Sequence, residues 1–194
     1  MNVKLRYTVI LRDARGRVVR RYTRRSRSFV VGFLRHLRAM LGSMGETAND
    51  TAGVSRAVTI PNSLATPWGD ADGPLNVDTY GIVVGTGTAA ESINDYALAT
   101  QVAHGNGAGQ LEHLASIIDA VVVSAPSASF KVRRTFNNNS GGAIVVNEIG
   151  MYVQTRESIP TTRYYCVIRD LLAAGDSIPN GGAYQVAYTI QITV

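Results

Sequence analysis

The stretch Ala183-Tyr184-Gln185-Val186-Ala187-Tyr188-Thr189-Ile190-Gln191-Ile192-Thr193-Val194 alternates almost without a break. Tyr184, Val186, Tyr188, Ile190, Ile192 and Val194 point one way; Gln185, Ala187, Thr189, Gln191 and Thr193 point the other. A period of two marks a half-buried strand. A strand with one polar face belongs in an antiparallel sheet that is covered on one side. Working backward, the same texture recurs at Thr162–Leu171, Ala143–Gln154, Ser129–Asn137, Ala120–Val123, Gln101–Ala103 and Tyr80–Val84. Turn-forming clusters separate these runs, such as Asn137-Asn138-Asn139-Ser140-Gly141-Gly142 and Pro179-Asn180-Gly181-Gly182. The predicted fold class is mainly β, with an antiparallel β-sandwich or jelly-roll body over 79–194.

The other end of the chain repeats the alternation. Val3, Leu5, Tyr7 and Val9 face one way, with Lys4 and Arg6 between them. Asp13-Ala14-Arg15-Gly16 supplies a turn, and Val18 and Val19 lead back to Tyr22, which reads as a β-hairpin. Ser26-Arg27-Ser28 offers a helix cap. From Phe29 to Met44 the apolar residues keep helical spacing, until Gly42 or Gly45 stops the run. A hairpin and one amphipathic helix cannot hold a core alone. Residues 1–45 therefore read as a basic hairpin-helix docking arm. Residues 46–78, with Pro61, Pro67 and Pro74, read as a loop-rich connector carrying one short strand, Ser55–Ile60. Trp68 in that connector has two readings: an interface anchor, or a cover for the edge of its own core.

Charge is segregated along the chain. Residues 1–45 hold twelve basic side chains and one acid, Asp13; residues 46–125 hold nine acids and one base, Arg56. Eleven of the twelve N-terminal bases are arginine, which favours planar, bidentate pairing with carboxylate or phosphate. Three readings follow. The basic part of one subunit meets the acidic part of the next, the arginines touch nucleic-acid phosphates, or the basic surface is merely solvated. The first is favoured, and it makes Arg17, Arg20, Arg21, Arg24, Arg25 and Arg27, with Trp68, the candidate interface residues.

Composition narrows the function. At 45% hydrophobic and 17% charged, the chain is not of the disordered class. A single cysteine, Cys166, excludes an intramolecular disulfide framework and cysteine-rich zinc modules. No charge-free run approaches the length of a membrane span, and Met1–Arg6 lack the apolar core of a signal peptide, so synthesis and folding in cytoplasm are expected. Tyr80-Gly81-Ile82-Val83-Val84-Gly85-Thr86-Gly87-Thr88-Ala89-Ala90 matches G-x-G-x-x-A after a strand. No long helix and no βαβ alternation follows, so it reads as a glycine turn and not a dinucleotide site. Asp70-Ala71-Asp72-Gly73 lacks the remaining ligands of a calcium loop. His36, His104 and His113 are not at metal-ligand spacing, and His36 reads as a solvated residue of the basic helix. No nucleophile elbow is present, and Cys166 sits in an apolar strand. No catalytic, cofactor-binding or metal-binding residue is assigned, and the chain is read as a non-enzyme.

Several motifs together resemble a group of structural proteins of tailed bacteriophages. They are Tyr80–Thr88, Asn94-Asp95-Tyr96-Ala97-Leu98 and Gly107-Ala108-Gly109-Gln110-Leu111, followed by Arg134–Ile144 and Val146-Asn147-Glu148-Ile149-Gly150-Met151-Tyr152. Ile168-Arg169-Asp170 and Pro179–Gly182 complete them. The likeness covers roughly 79–194, and Arg25–Phe29 is similar to some of these proteins as well. It implies a virion component made in the host cytoplasm. The expected partners are a second copy of the chain, in a symmetric oligomer such as a trimer, and other virion proteins. Capsid decoration is the first expectation. The alternatives are a tail, neck or adhesin component, and a nucleic-acid-binding protein that uses the basic N-terminal segment.

Overall fold

Each end of the sequence finds its partner in the other. The computed structural model describes residues 2–26, 28–42, 46–58, 69–156 and 161–194. In chain order the elements are β1 (Asn2–Arg12), β2 (Val18–Ser26), α1 (Val31–Gly42), β3 (Glu46–Asn49), β4 (Ser55–Val58) and β5 (Gly81–Gly85). Then come β6 (Glu112–His113), β7 (Ile117–Ile118), β8 (Val122–Ser124), β9 (Ser127–Asn137), β10 (Ile144–Arg156), β11 (Thr162–Ile178) and β12 (Ala183–Thr193). The chain is mainly β with antiparallel sheets and one described helix.

The large sheet runs β2-β1-β12-β9, and β6, β7 and β8 all pair with the far side of β9. The register joins β1 to β12 along its full length, from Asn2 opposite Thr193 to Arg12 opposite Ala183. The hairpin read from sequence as a docking arm is thus built into the large sheet. The alternation of residues 3–11 is why: Leu5, Tyr7, Val9 and Leu11 are all buried. Each contributes about 1.5–3 kcal/mol on burial. A second sheet has the order β11-β10-β5, and β3 and β4 form a two-stranded ribbon.

Both larger sheets supply one apolar cluster. Val9, Phe136 and Tyr184 come from the large sheet; Val146, Ile149 and Val167 come from the second. A smaller cluster of Val83, Leu98, Tyr152 and Cys166, joined by Val30, lies on the other side of the second sheet. All of β5 is therefore buried. Cys166 is indeed a buried thiol, pushed up in pKa by that burial.

The helix starts later than its apolar spacing predicts, at Val31 and not Phe29, and the predicted end at Met44 lies outside the described residues. Backbone pairing explains the shift. Phe29 bridges Ile168, and the Val30 amide donates to the Val167 carbonyl, so both residues stay extended along β11. Gly32 lets the first turn sit on that strand, since a Cβ there would meet the Cys166 carbonyl oxygen at 2.4 Å. Strand β11 runs seven residues past the predicted Leu171, and Gln101–Ala103 forms only an isolated bridge from Gln101 to Gly85. The predicted strand Ser55–Ile60 is described as far as Val58; its last two residues lie outside the described residues.

Two turn motifs interlock at one end of the body. The Asn138 carboxamide nitrogen donates to the Gly142 and Ile178 carbonyls, both at 2.8 Å. Backbone bonds link Asn138 to Gly181 and Gly182, and the Gly141 amide donates to Asn180 Oδ1. The asparagine-glycine runs thus tie the β9–β10 turn to the β11–β12 turn.

Candidate assembly interface

Strand parity divides the arginine cluster. Arg20 pairs with Leu11 and Arg24 with Tyr7, so both lie on the core side of β2. Arg21 pairs with Ile10 and Arg25 with Arg6, which places them on the outer side. Arg20 Nη1 donates to Asp176 Oδ1 at 2.6 Å, and its guanidinium lies 5.0 Å from the Tyr22 ring centroid. Arg24 also lies over that ring, at 6.0 Å. Arg17, in the hairpin turn, pairs with Asp13 at 2.7 Å and is largely exposed. Arg27 and Trp68 lie outside the described residues.

Asp176 is completely buried and is the hub on the core side. Besides Arg20 it accepts from Tyr22 at 2.6 Å and from Tyr184 at 2.8 Å. Sequence reasoning did not single it out. The available signal was Tyr184 on the inward face of an alternating strand, because a buried tyrosine hydroxyl needs an acceptor. The same logic holds for Tyr188, which donates to Asp170 at 2.9 Å. Burial raises Asp170 to about 6, against the opposing pull of hydrogen bonds from Ser26, Tyr188 and Ser28.

The glycine fingerprint has a packing explanation. Glu148 and Arg169 are both buried, and Arg169 Nε donates to Glu148 Oε2 at 2.9 Å. Arg169 also donates to Asp95 Oδ2 and to the carbonyls of Ala89 and Ala90. Glu148 in turn accepts from the amides of Gly87, Ala99 and Thr100. This ion-pair network holds loop 86–100 against the second sheet. A Cβ on Gly87 would meet Glu148 Oε1 at 2.4 Å, and one on Gly85 would meet it at 2.6 Å. The glycines admit a buried carboxylate where a dinucleotide site would admit a pyrophosphate.

Arg134 does similar work on the neighbouring loop. It is buried and donates to the carbonyls of Leu114, Tyr80, Ile82, Pro74 and Val77. Burial lowers its pKa to about 10. His113 lies edge-on to Phe136, and burial, with the Arg134 charge second, lowers it to about 4. His36 is not solvated as the sequence suggested. Its ring packs 4.6 Å from Tyr165, and burial lowers its pKa, because α1 turns that face toward β11. In the Asp70-Ala71-Asp72-Gly73 run, the Asp70 carboxylate accepts from the Asp72 amide at 2.7 Å.

The core side of the large sheet extends beyond its cover. Val3 pairs with Ile192, Ile192 with Ala128, and Ala128 with Val123, so one apolar row crosses four strands. Val3 is 51% exposed, Ile192 42% and Val123 77%. The next row inward is Leu5, Ile190 and Phe130, the last two only partly buried. An apolar cavity of ≈ 300 Å³ opens beside it, lined among others by Phe33, Leu37, Met40, Phe130 and Ile190. Sequence reasoning missed this row, because each strand ends in an unremarkable valine, alanine or isoleucine and only the register aligns them. No protein-family model, curated protein or solved structure matches the chain.

Proposed function

We propose that the chain is a structural subunit of a tailed-bacteriophage particle that assembles through the uncovered apolar row. The observation that carries the reading is the run Val3–Ile192–Ala128–Val123 on the core side of the large sheet. Contiguous apolar surface of this kind marks an interaction site. The motif resemblance of residues 79–194 supports the virion setting. On this reading the two larger sheets are the layers of a β-sandwich of jelly-roll type. The partners are further copies in a closed symmetric oligomer and neighbouring virion proteins. Capsid decoration is the first assignment within the particle, ahead of tail, neck or adhesin.

Light scattering on the purified chain over a concentration series tests the assembly step. The expected result is a discrete oligomer that Val123→Lys with Ile192→Lys converts to monomer, at unchanged Tm. Mass spectrometry of purified particles of the encoding phage tests the setting, and the chain is expected among their components. A chain that stays monomeric at every concentration and is missing from particles overturns the proposal.

A further inference from the structure

We infer that the outer face of the large sheet, opposite the core, binds the phosphate backbone of a nucleic-acid duplex. This inference does not rest on the virion reading, and it concerns the opposite side of the sheet from the apolar row. Strands β2, β1, β12 and β9 together contain ten basic residues and no aspartate or glutamate. Register parity puts Lys4, Arg6, Arg21, Arg25, Lys131 and Arg133 on the outer face, with threonine, glutamine, serine, alanine and Ile10 between them, while Arg12, at the end of β1 on the same side, donates to the Gly16 carbonyl of the hairpin turn. Arg133 pairs with Asp119; the other five have no ion-pair partner among the described residues.

The arrangement works against the sheet's own stability. Arg6 and Arg25 stand directly opposite each other, and like charges so placed repel. A polyanion laid on the face removes that repulsion. The spacing suits an extended one. Lys4 and Arg6 are about 6.8 Å apart along β1, and Arg25 to Lys131 spans three strand gaps, about 14 Å.

Two observations select a duplex backbone. Every aromatic side chain of the four strands lies on the core side: Tyr7, Tyr22, Phe130, Phe136, Tyr184 and Tyr188. The outer face therefore has no platform on which unpaired bases stack, the feature single-strand binders use. A second copy offers a thinner counter-surface: Glu46, Asp50, Asp95, Asp119 and Asp176 already pair within the chain, with Arg38, Arg56, Arg169, Arg133 and Arg20, which leaves Asp70, Asp72, Asp78, Glu91 and Glu112 outside ion pairs among the described residues. Binding is through phosphates, without base readout.

Fluorescence anisotropy of a labelled 20-base-pair DNA duplex with the full chain, between 50 and 200 mM salt, tests this. Five phosphate contacts give an expected slope of log K on log salt of about −4.5. The variant Arg6→Gln, Arg21→Gln, Arg25→Gln, Lys131→Gln is expected to bind about a hundredfold more weakly and to flatten the slope to about −1. Arg15→Gln with Arg17→Gln, in the hairpin turn, is the control and leaves both nearly unchanged. Thermal unfolding shows that the fold is intact: the turn variant is expected to match the parent, and the fourfold variant to unfold at the same or a slightly higher temperature, since the Arg6–Arg25 repulsion is gone. No duplex binding at 50 mM salt, or binding that the fourfold variant retains, overturns the inference. So does tighter binding of oligothymidine than duplex, or displacement by polyglutamate at equal charge, which would assign the face to single strands or to an acidic protein.

Discussion

Asp176 accepts three hydrogen bonds at zero exposure, and only one of its donors is charged. Removing Arg20 leaves the carboxylate with two tyrosine hydroxyls and no countercharge. Since Arg20 itself is 45% exposed, solvent discounts the pair, and Arg20→Ala is expected to cost about 1–2 kcal/mol. Arg21→Ala and Arg25→Ala, on the outer face, are expected to stay within about 0.5 kcal/mol. Urea unfolding separates the cases, and equal losses at all three positions would refute the parity argument.

Asp170 and His113 form a second residue-scale pair, opposed in sign. Asp170, raised to about 6 from 3.8, binds its proton more tightly when folded, so its contribution to stability falls as pH rises from about 4 to 6. His113, lowered to about 4 from 6.5, binds its proton less tightly when folded, so its contribution falls as pH drops from about 6.5 to 4. Each effect is on the order of 3 kcal/mol across its window, and over pH 4–6 they largely cancel. Asp170→Asn is expected to reveal a loss of stability on acidification, and His113→Gln a gain. Urea midpoints from pH 4 to 7 check this; variants whose pH profiles parallel the parent would disprove it.

At the scale of elements, what was legible followed the periodicity. Strands β12 and β1 were readable because their alternation is nearly unbroken, β9 because Phe130, Val132 and Phe136 keep the period around the buried Arg134, and β2 because a turn signal precedes it. Strands β6 and β7 have two residues each, too few for any period to register. The start of α1 was misplaced because Phe29 and Val30 satisfy the helical pattern, yet their backbones pair with β11. The long-range partner of β1 was invisible for a different reason: alternation says that a strand has a core side, not which strand lies beside it. That partner makes a sharp prediction. A chain beginning at Ser28 lacks four buried side chains, Leu5, Tyr7, Val9 and Leu11, worth together about 6–12 kcal/mol. This rivals the whole stability of an ordinary domain. The shortened chain is expected to show neither a cooperative thermal transition nor dispersed amide resonances; a folded 28–194 would show that the hairpin is dispensable.

For the molecule as a whole, charge segregation was plain in the sequence, but its destination was not. The acids of 46–125 are spent largely inside the chain, holding loops, as Asp95 does with Arg169. The bases of β1 and β2 split by parity into a buried-acid contact and an open face. Neither outcome follows from composition, because pairing of residues far apart in sequence decides it. The motif that suggested chemistry, Gly85-Thr86-Gly87, marks where a loop is fastened to a sheet, and so does Arg134–Ile144 of the phage-protein resemblance.

The pairing of β1 with β12 also sets a timetable. On a ribosome adding about 5–20 residues per second, β1 is made about 10–35 s before its neighbour exists. Through that interval the hairpin carries Leu5, Tyr7, Val9 and Leu11 uncovered and one edge of β1 unpaired. Lys4, Arg6, Arg21 and Arg25 sit on the same two strands, and such charges discourage an open edge from recruiting another chain.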